Sequence, residues 1–101
     1  NLNQKRVIEF GLVKIDLNKL LIFNNSKEYK INSTEKTILE RMINSPGQIY
    51  TRDEIADIIG LEKERSIDVI ITRLRKKIEE NPKNPRYLQT VRGEGYVLWI
   101  E

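Results

Sequence analysis

Between Arg65 and Arg92 the chain places eight Lys or Arg, at 65, 73, 75, 76, 77, 83, 86 and 92, against three acids, Asp68, Glu79 and Glu80, a local balance of +5. The remainder of the 101 residues carries ten basic and twelve acidic side chains, so the net charge is only +3. Guanidinium and ammonium groups gathered in one segment suit polyanion binding, because they neutralise phosphates and release their counterions. A basic run on a helix is equally the composition of a solvated face, so spacing has to separate the two.

At about 100° per residue, Ile67, Ile71, Leu74 and Ile78 form one narrow stripe, the buried face of a helix. Ser66, Val69, Thr72, Arg73 and Lys76 lie opposite, and Arg75 and Lys77 flank the stripe. An ordinary solvated face mixes Glu with Lys; this one mixes cations with small and apolar groups, and exposed Val69 and Ile70 have no reason to face water alone. Arg73 is the best base reader, since its fork bonds guanine O6 and N7 together. Val69 suits a thymine methyl, and Thr72 a base edge or a phosphate.

Other chemistry is excluded by residue type. The chain has no Cys and no His, which removes disulfides, thiolate nucleophiles, the commonest general base and the commonest metal ligand. Glu79-Glu80 and Asp53-Glu54 are sequence neighbours that do not face each other on a helix. The expectation is a binding module with no catalytic residue, no metal and no cofactor.

These groups need elements to hold them. Val7 to Phe10, Leu12 to Leu17, Leu20 to Phe23 and Glu28 to Ile31 are short and apolar-rich, and Asn24-Asn25-Ser26-Lys27 is a hairpin turn between the last two. They predict an N-terminal antiparallel sheet over residues 1–31. Asn32-Ser33-Thr34-Glu35 and Thr51-Arg52-Asp53-Glu54 each place a short polar acceptor three residues before Glu, the pattern of a capped helix start. Ile38, Leu39, Met42 and Ile43 carry the first helix; Ile55, Ile58 and Ile59 carry a brief second one closed by Gly60. The third runs from 62 to 80, before Asn81-Pro82, so that 32–80 holds three helices. Over 85–101, Tyr87 to Val91 and Tyr96 to Ile100 flank Arg92-Gly93-Glu94-Gly95, a tight hairpin with a basic tip.

Sheet, three helices and hairpin give an α+β, winged helix-turn-helix order over 1–101 as a single domain. The geometry of such folds lays the second helix of the pair in the major groove of DNA, while a wing carrying Arg92 and Gly93 reaches the adjacent minor groove. No apolar run is long enough for a membrane span or a signal peptide. Cytoplasmic location fits the missing cysteines, and a first residue of Asn rather than Met points to a segment of a longer chain.

The chain also resembles the effector domain of OmpR/PhoB-type response regulators across nearly its whole length. Ile31-Asn32-Ser33-Thr34-Glu35 is similar to the family's Leu-Thr-x-x-Glu helix opening, and Pro46-Gly47-Gln48-Ile49-Tyr50-Thr51-Arg52 to its entry to the second helix. Ser66-Ile67-Asp68-Val69-Ile70-Ile71-Thr72-Arg73-Leu74-Arg75-Lys76-Lys77-Ile78 is similar to its recognition helix, and Thr90-Val91-Arg92-Gly93-Glu94-Gly95-Tyr96 to its wing.

The resemblance implies sequence-specific binding of double-stranded DNA, as two copies on direct-repeat half-sites. It also implies control by an N-terminal receiver domain and its sensor kinase, a receiver that these residues do not include. Carried over by position, the helix contacts are Ser66, Asp68, Val69, Ile70, Thr72, Arg73 and Arg75. Backbone candidates are Thr51, Arg52, Ile70, Arg75, Lys76, Lys77, Thr90 and Tyr96. Arg75, near the core edge, is expected to reach a phosphate or pair with an acid. Asp68 is expected to orient Arg65 or Arg73. Tyr96 is either a phosphate donor or a core aromatic, Thr51 either a contact or a cap, and Lys76 and Lys77 either phosphate neighbours or solvated. Ile70 stands where the family often has His. The loop at 60–65, in the family the usual RNA polymerase contact, is short here. The alternative function is a protein-interaction module docking a receiver or an RNA polymerase subunit.

Overall fold

The computed structural model describes residues 7–60 and 65–100, with the backbone only at 65 and 66. Four short strands open it: β1 (Val7–Phe10), β2 (Val13–Asp16), β3 (Leu21–Asn24) and β4 (Lys27–Lys30), paired antiparallel in that order. Their register aligns Ile8, Ile15, Ile22 and Tyr29 in one row across the sheet. Ile15 and Ile22 in that row are fully buried, so one face of the sheet covers the core. Strand β3 begins at Leu21 rather than Leu20, because Leu20 adopts φ 58 in the preceding turn. That turn is why Leu20-Leu21 breaks the alternation expected of a strand.

Helix α1 (Ser33–Asn44) starts at Asn32, whose side chain accepts from the Glu35 amide at 2.8 Å while the Glu35 carboxylate accepts from the Asn32 amide at 3.0 Å. Ile38, Leu39 and Met42 are buried from it, and Ile43 is half-buried. Helix α2 (Arg52–Ile59) repeats the reciprocal cap between Thr51 and Glu54 and ends at Gly60 in the left-handed conformation. Its buried residues are Ile55 and Ala56; Ile58 and Ile59, expected in the stripe, are half-buried, since an eight-residue helix presents barely two turns to the core.

Helix α3 (Arg65–Ile78) buries Ile67, Ile71, Leu74 and Ile78 completely, as their spacing predicts. It ends at Ile78, two residues before the expected Glu80, because Glu79 turns inward. Both Glu79 carboxylate oxygens accept from the amides of Arg86, Tyr87 and Leu88, at 2.7 to 3.3 Å. Residues 62–64 of the expected helix lie outside the described residues.

A second sheet orders its strands β5-β7-β6, from β5 (Ile49–Tyr50), β6 (Leu88–Val91) and β7 (Gly95–Leu98). The two-residue β5 was not foreseen, being too short for a period to register. It dictates Gly95: a Cβ there would stand 2.0 Å from the Tyr50 carbonyl oxygen, so only glycine lets β7 pass. Gly93, in the turn, faces open space and answers instead to its φ of 77. Three helices with two antiparallel sheets make the fold α+β, as expected.

Candidate nucleic-acid interface

The face of α3 opposite its buried stripe presents Val69, half exposed, with Thr72, Arg73 and Lys76. Arg73 and Lys76 take no hydrogen-bond or ion-pair partner among the described residues. Thr72 Oγ1 donates to the Asp68 carbonyl at 2.8 Å, which keeps its oxygen free to accept but uses its proton. Ile70, expected on this face, is half-buried against the core. The Ser66 side chain and the 61–64 part of the loop lie outside the described residues.

Other predicted contacts turn inward or sideways. Lys77 Nζ donates to both Glu35 carboxylate oxygens, at 2.8 and 3.0 Å, and to the Lys30 carbonyl at 2.8 Å, tying α3 to the start of α1 and the end of β4. Glu35 is buried, so this ammonium is the counter-charge of a core carboxylate and leaves the candidate interface. Arg75 meets no acid among the described residues. Its Nε donates to the Leu88 carbonyl and its Nη2 to Thr90 Oγ1, both at 2.7 Å, and its guanidinium stands 5.7 Å from the Tyr96 ring centre.

Asp68 pairs with an arginine, but one from another element. Arg52 Nε donates to Oδ1 at 3.0 Å and Nη2 to Oδ2 at 3.3 Å, a two-pronged pair about half exposed at each end. Arg73, one of the two partners expected from the sequence, does not make this pair, and the side chain of Arg65, the other, lies outside the described residues. Tyr96 is buried and donates its hydroxyl to the same carboxylate, so its proton is engaged within the protein. The Arg52 bonds, followed by the Tyr96 bond, hold the Asp68 carboxyl below the usual aspartate range. Burial first, and the hydrogen bond to Asp68 second, push the Tyr96 phenol up. Asp68 in turn raises the Arg52 guanidinium.

The wing stands beside this face. Arg92 is exposed at its tip, the Glu94 amide closes the turn on the Val91 carbonyl at 2.9 Å, and Thr90 holds Arg75. Between the start of α2 and the wing lies an open cleft of about 330 Å³, with Thr51 and Arg52 on one side and Thr90, Gly93 and Glu94 on the other. Thr51 is also the α2 cap. Sequence reasoning missed the role of Glu79 and the pairing of Glu35 with Lys77, because those partners sit in other parts of the fold and local spacing carries no sign of them.

No helix among the described residues is long and apolar enough to cross a membrane. The chain matches the family described as "Transcriptional regulatory protein, C terminal" over residues 26–98. It is 38% identical over 97 residues to a probable transcriptional regulator, ycf27, of Cyanophora paradoxa, covering 90% of this chain and 41% of that protein. The chain thus spans less than half the length of that relative. Its fold is similar to the response regulator DrrB, an OmpR/PhoB homolog of Thermotoga maritima, with TM-score 0.82 and 30% identity, over 97% of this chain and 46% of that one. It is also similar to the Klebsiella pneumoniae RstA DNA-binding domain, solved in complex with the RstA box, with TM-score 0.74 and 29% identity, over 93% and 97% of the two chains.

Proposed function

The chain belongs to the OmpR/PhoB-type family of transcriptional regulatory protein C-terminal domains, and from that premise we propose that it binds double-stranded DNA sequence-specifically as a regulator's output domain. The observation that carries this reading is the outer face of α3, where Arg73 and Lys76 stand exposed and unpartnered among the described residues beside Val69 and Thr72. A major groove about 12 Å wide admits such a helix. Arg73 then reads guanine, Val69 meets a thymine methyl, and Thr72 accepts from a base or lies along a phosphate. Ser66, at the helix start, joins them by position.

Lys76, Thr51 and the exposed half of Arg52 face the backbone. Arg92 and Gly93 meet the adjacent minor groove, whose negative potential attracts a guanidinium. Arg75 and Thr90 act on the wing's placement. Binding as two copies on direct-repeat half-sites, control by an N-terminal receiver and its sensor kinase, contact with RNA polymerase and action in the cytoplasm all follow from family membership and belong to this proposal. So does the absence of catalysis.

Selection of bound sequences from a random duplex library, followed by footprinting, tests the reading. An enriched motif repeated at a fixed spacing is expected, with affinity falling steeply as salt rises. Binding without sequence preference would instead favour the protein-docking module.

A further inference from the structure

Asp68 poses a problem that its partners answer. A carboxylate in a helix that meets phosphates repels them, so electrostatics alone makes it a defect. Yet its oxygens receive Arg52 from α2, at 3.0 and 3.3 Å, and the hydroxyl of buried Tyr96 from β7. Two helical turns on, Arg75 grips β6 through the Leu88 carbonyl and Thr90 and lies over the same Tyr96 ring. Positions seven apart share one side of a helix, so a single side of α3 holds α2 and both wing strands.

We propose that Asp68 is a positioning residue: it clasps the start of α2 and the wing to α3, so that the three elements meet DNA as one rigid body and read a sequence together. This rests on the DNA-binding reading above. The consequence runs against charge. Removing a negative charge should tighten binding to any duplex, whereas releasing the clasp should weaken binding to the selected sequence, where all three elements must fit together.

The test compares the wild-type chain with Asp68→Asn, Tyr96→Phe and the double variant, on the library-selected duplex and on a scrambled one. Asp68→Asn is expected to weaken the selected duplex roughly tenfold, within the range for coupled neighbours, and to leave the scrambled duplex unchanged or tighter. The double variant is expected to lose less than the two single losses combined. Equal or tighter binding of Asp68→Asn to both duplexes would overturn the proposal, leaving Asp68 a mere charge.

Amide hydrogen exchange of the free chain tests the clasp without DNA. In Asp68→Asn the amides of Leu88–Leu98 and of the first turn of α2 are expected to exchange faster, while those of α1 keep their protection. Exchange that is unchanged in the wing, or faster everywhere, would also overturn it. A wild-type chain that selects no sequence would sink the functional reading, and the exchange result would still judge the clasp.

Discussion

Lys76 and Lys77 are neighbours in the chain and face different ways. Lys76 is exposed on the outer side of α3 with no partner among the described residues, whereas Lys77 reaches back to Glu35 and the Lys30 carbonyl. The same division runs through the arginines: Arg73 and Arg92 are exposed, Arg75 holds the wing, and Arg52 holds Asp68. A segment charge of +5 therefore overstates the surface offered to a polyanion. Part of that charge assembles the recognition elements, and the rest remains available for recognition.

The difference breaks most visibly in the core. Leu74→Ala, in the fully buried stripe, is expected to destabilise the fold by about 2–5 kcal/mol in denaturant unfolding, far more than any change on the outer face. Lys77→Ala comes next, at about 3 kcal/mol, because it leaves the buried Glu35 carboxylate without its counter-charge and with the Asn32 amide alone. Its salt dependence of duplex binding, measured on the folded fraction, should stay that of the wild type. Lys76→Ala should do the reverse, leaving stability within about 0.5 kcal/mol and lowering the slope of log K against log salt by about one. Should the two lysines exchange these outcomes, the division is wrong.

Acid and base titration gives the smallest effect. The Asp68 carboxyl is depressed in the fold, so its contribution is present above the ordinary aspartate value and lost as pH falls below about 4. The Tyr96 phenol is raised, so its contribution is present below the ordinary tyrosine value and lost as pH rises past about 10. Thermal unfolding across pH should show Asp68→Asn flattening the acid side and Tyr96→Phe the basic side. Variants that follow the wild-type profile would show that this cluster adds no stability.

What could be read from residue order is local. Both capping boxes, at Asn32 with Glu35 and Thr51 with Glu54, are satisfied within four residues, and the Ile67, Ile71, Leu74 and Ile78 stripe is a property of one helix. The glycine turn of the wing is local too, although Gly95 answers to Tyr50 far away in the chain. Partners of long charged side chains were not legible. Arg52 finds Asp68 sixteen residues on, and Lys77 finds Glu35 forty-two residues back, because tertiary packing rather than spacing sets what a flexible stem can reach. For the same reason nothing in the spacing points Asp68 to Arg52, or Glu79 to the amides of Arg86, Tyr87 and Leu88.

The claim that the outer face of α3 reads sequence while the tied cations build the reader rests most directly on Arg73. Random-duplex selection should be run in parallel on the wild-type chain and on Arg73→Ala. The account predicts that the variant loses preference at one guanine position, costing about 1–3 kcal/mol on the wild-type site, while the rest of the motif is retained. A variant that weakens on every sequence alike, with the motif unchanged, would make Arg73 a phosphate clamp and contradict the account.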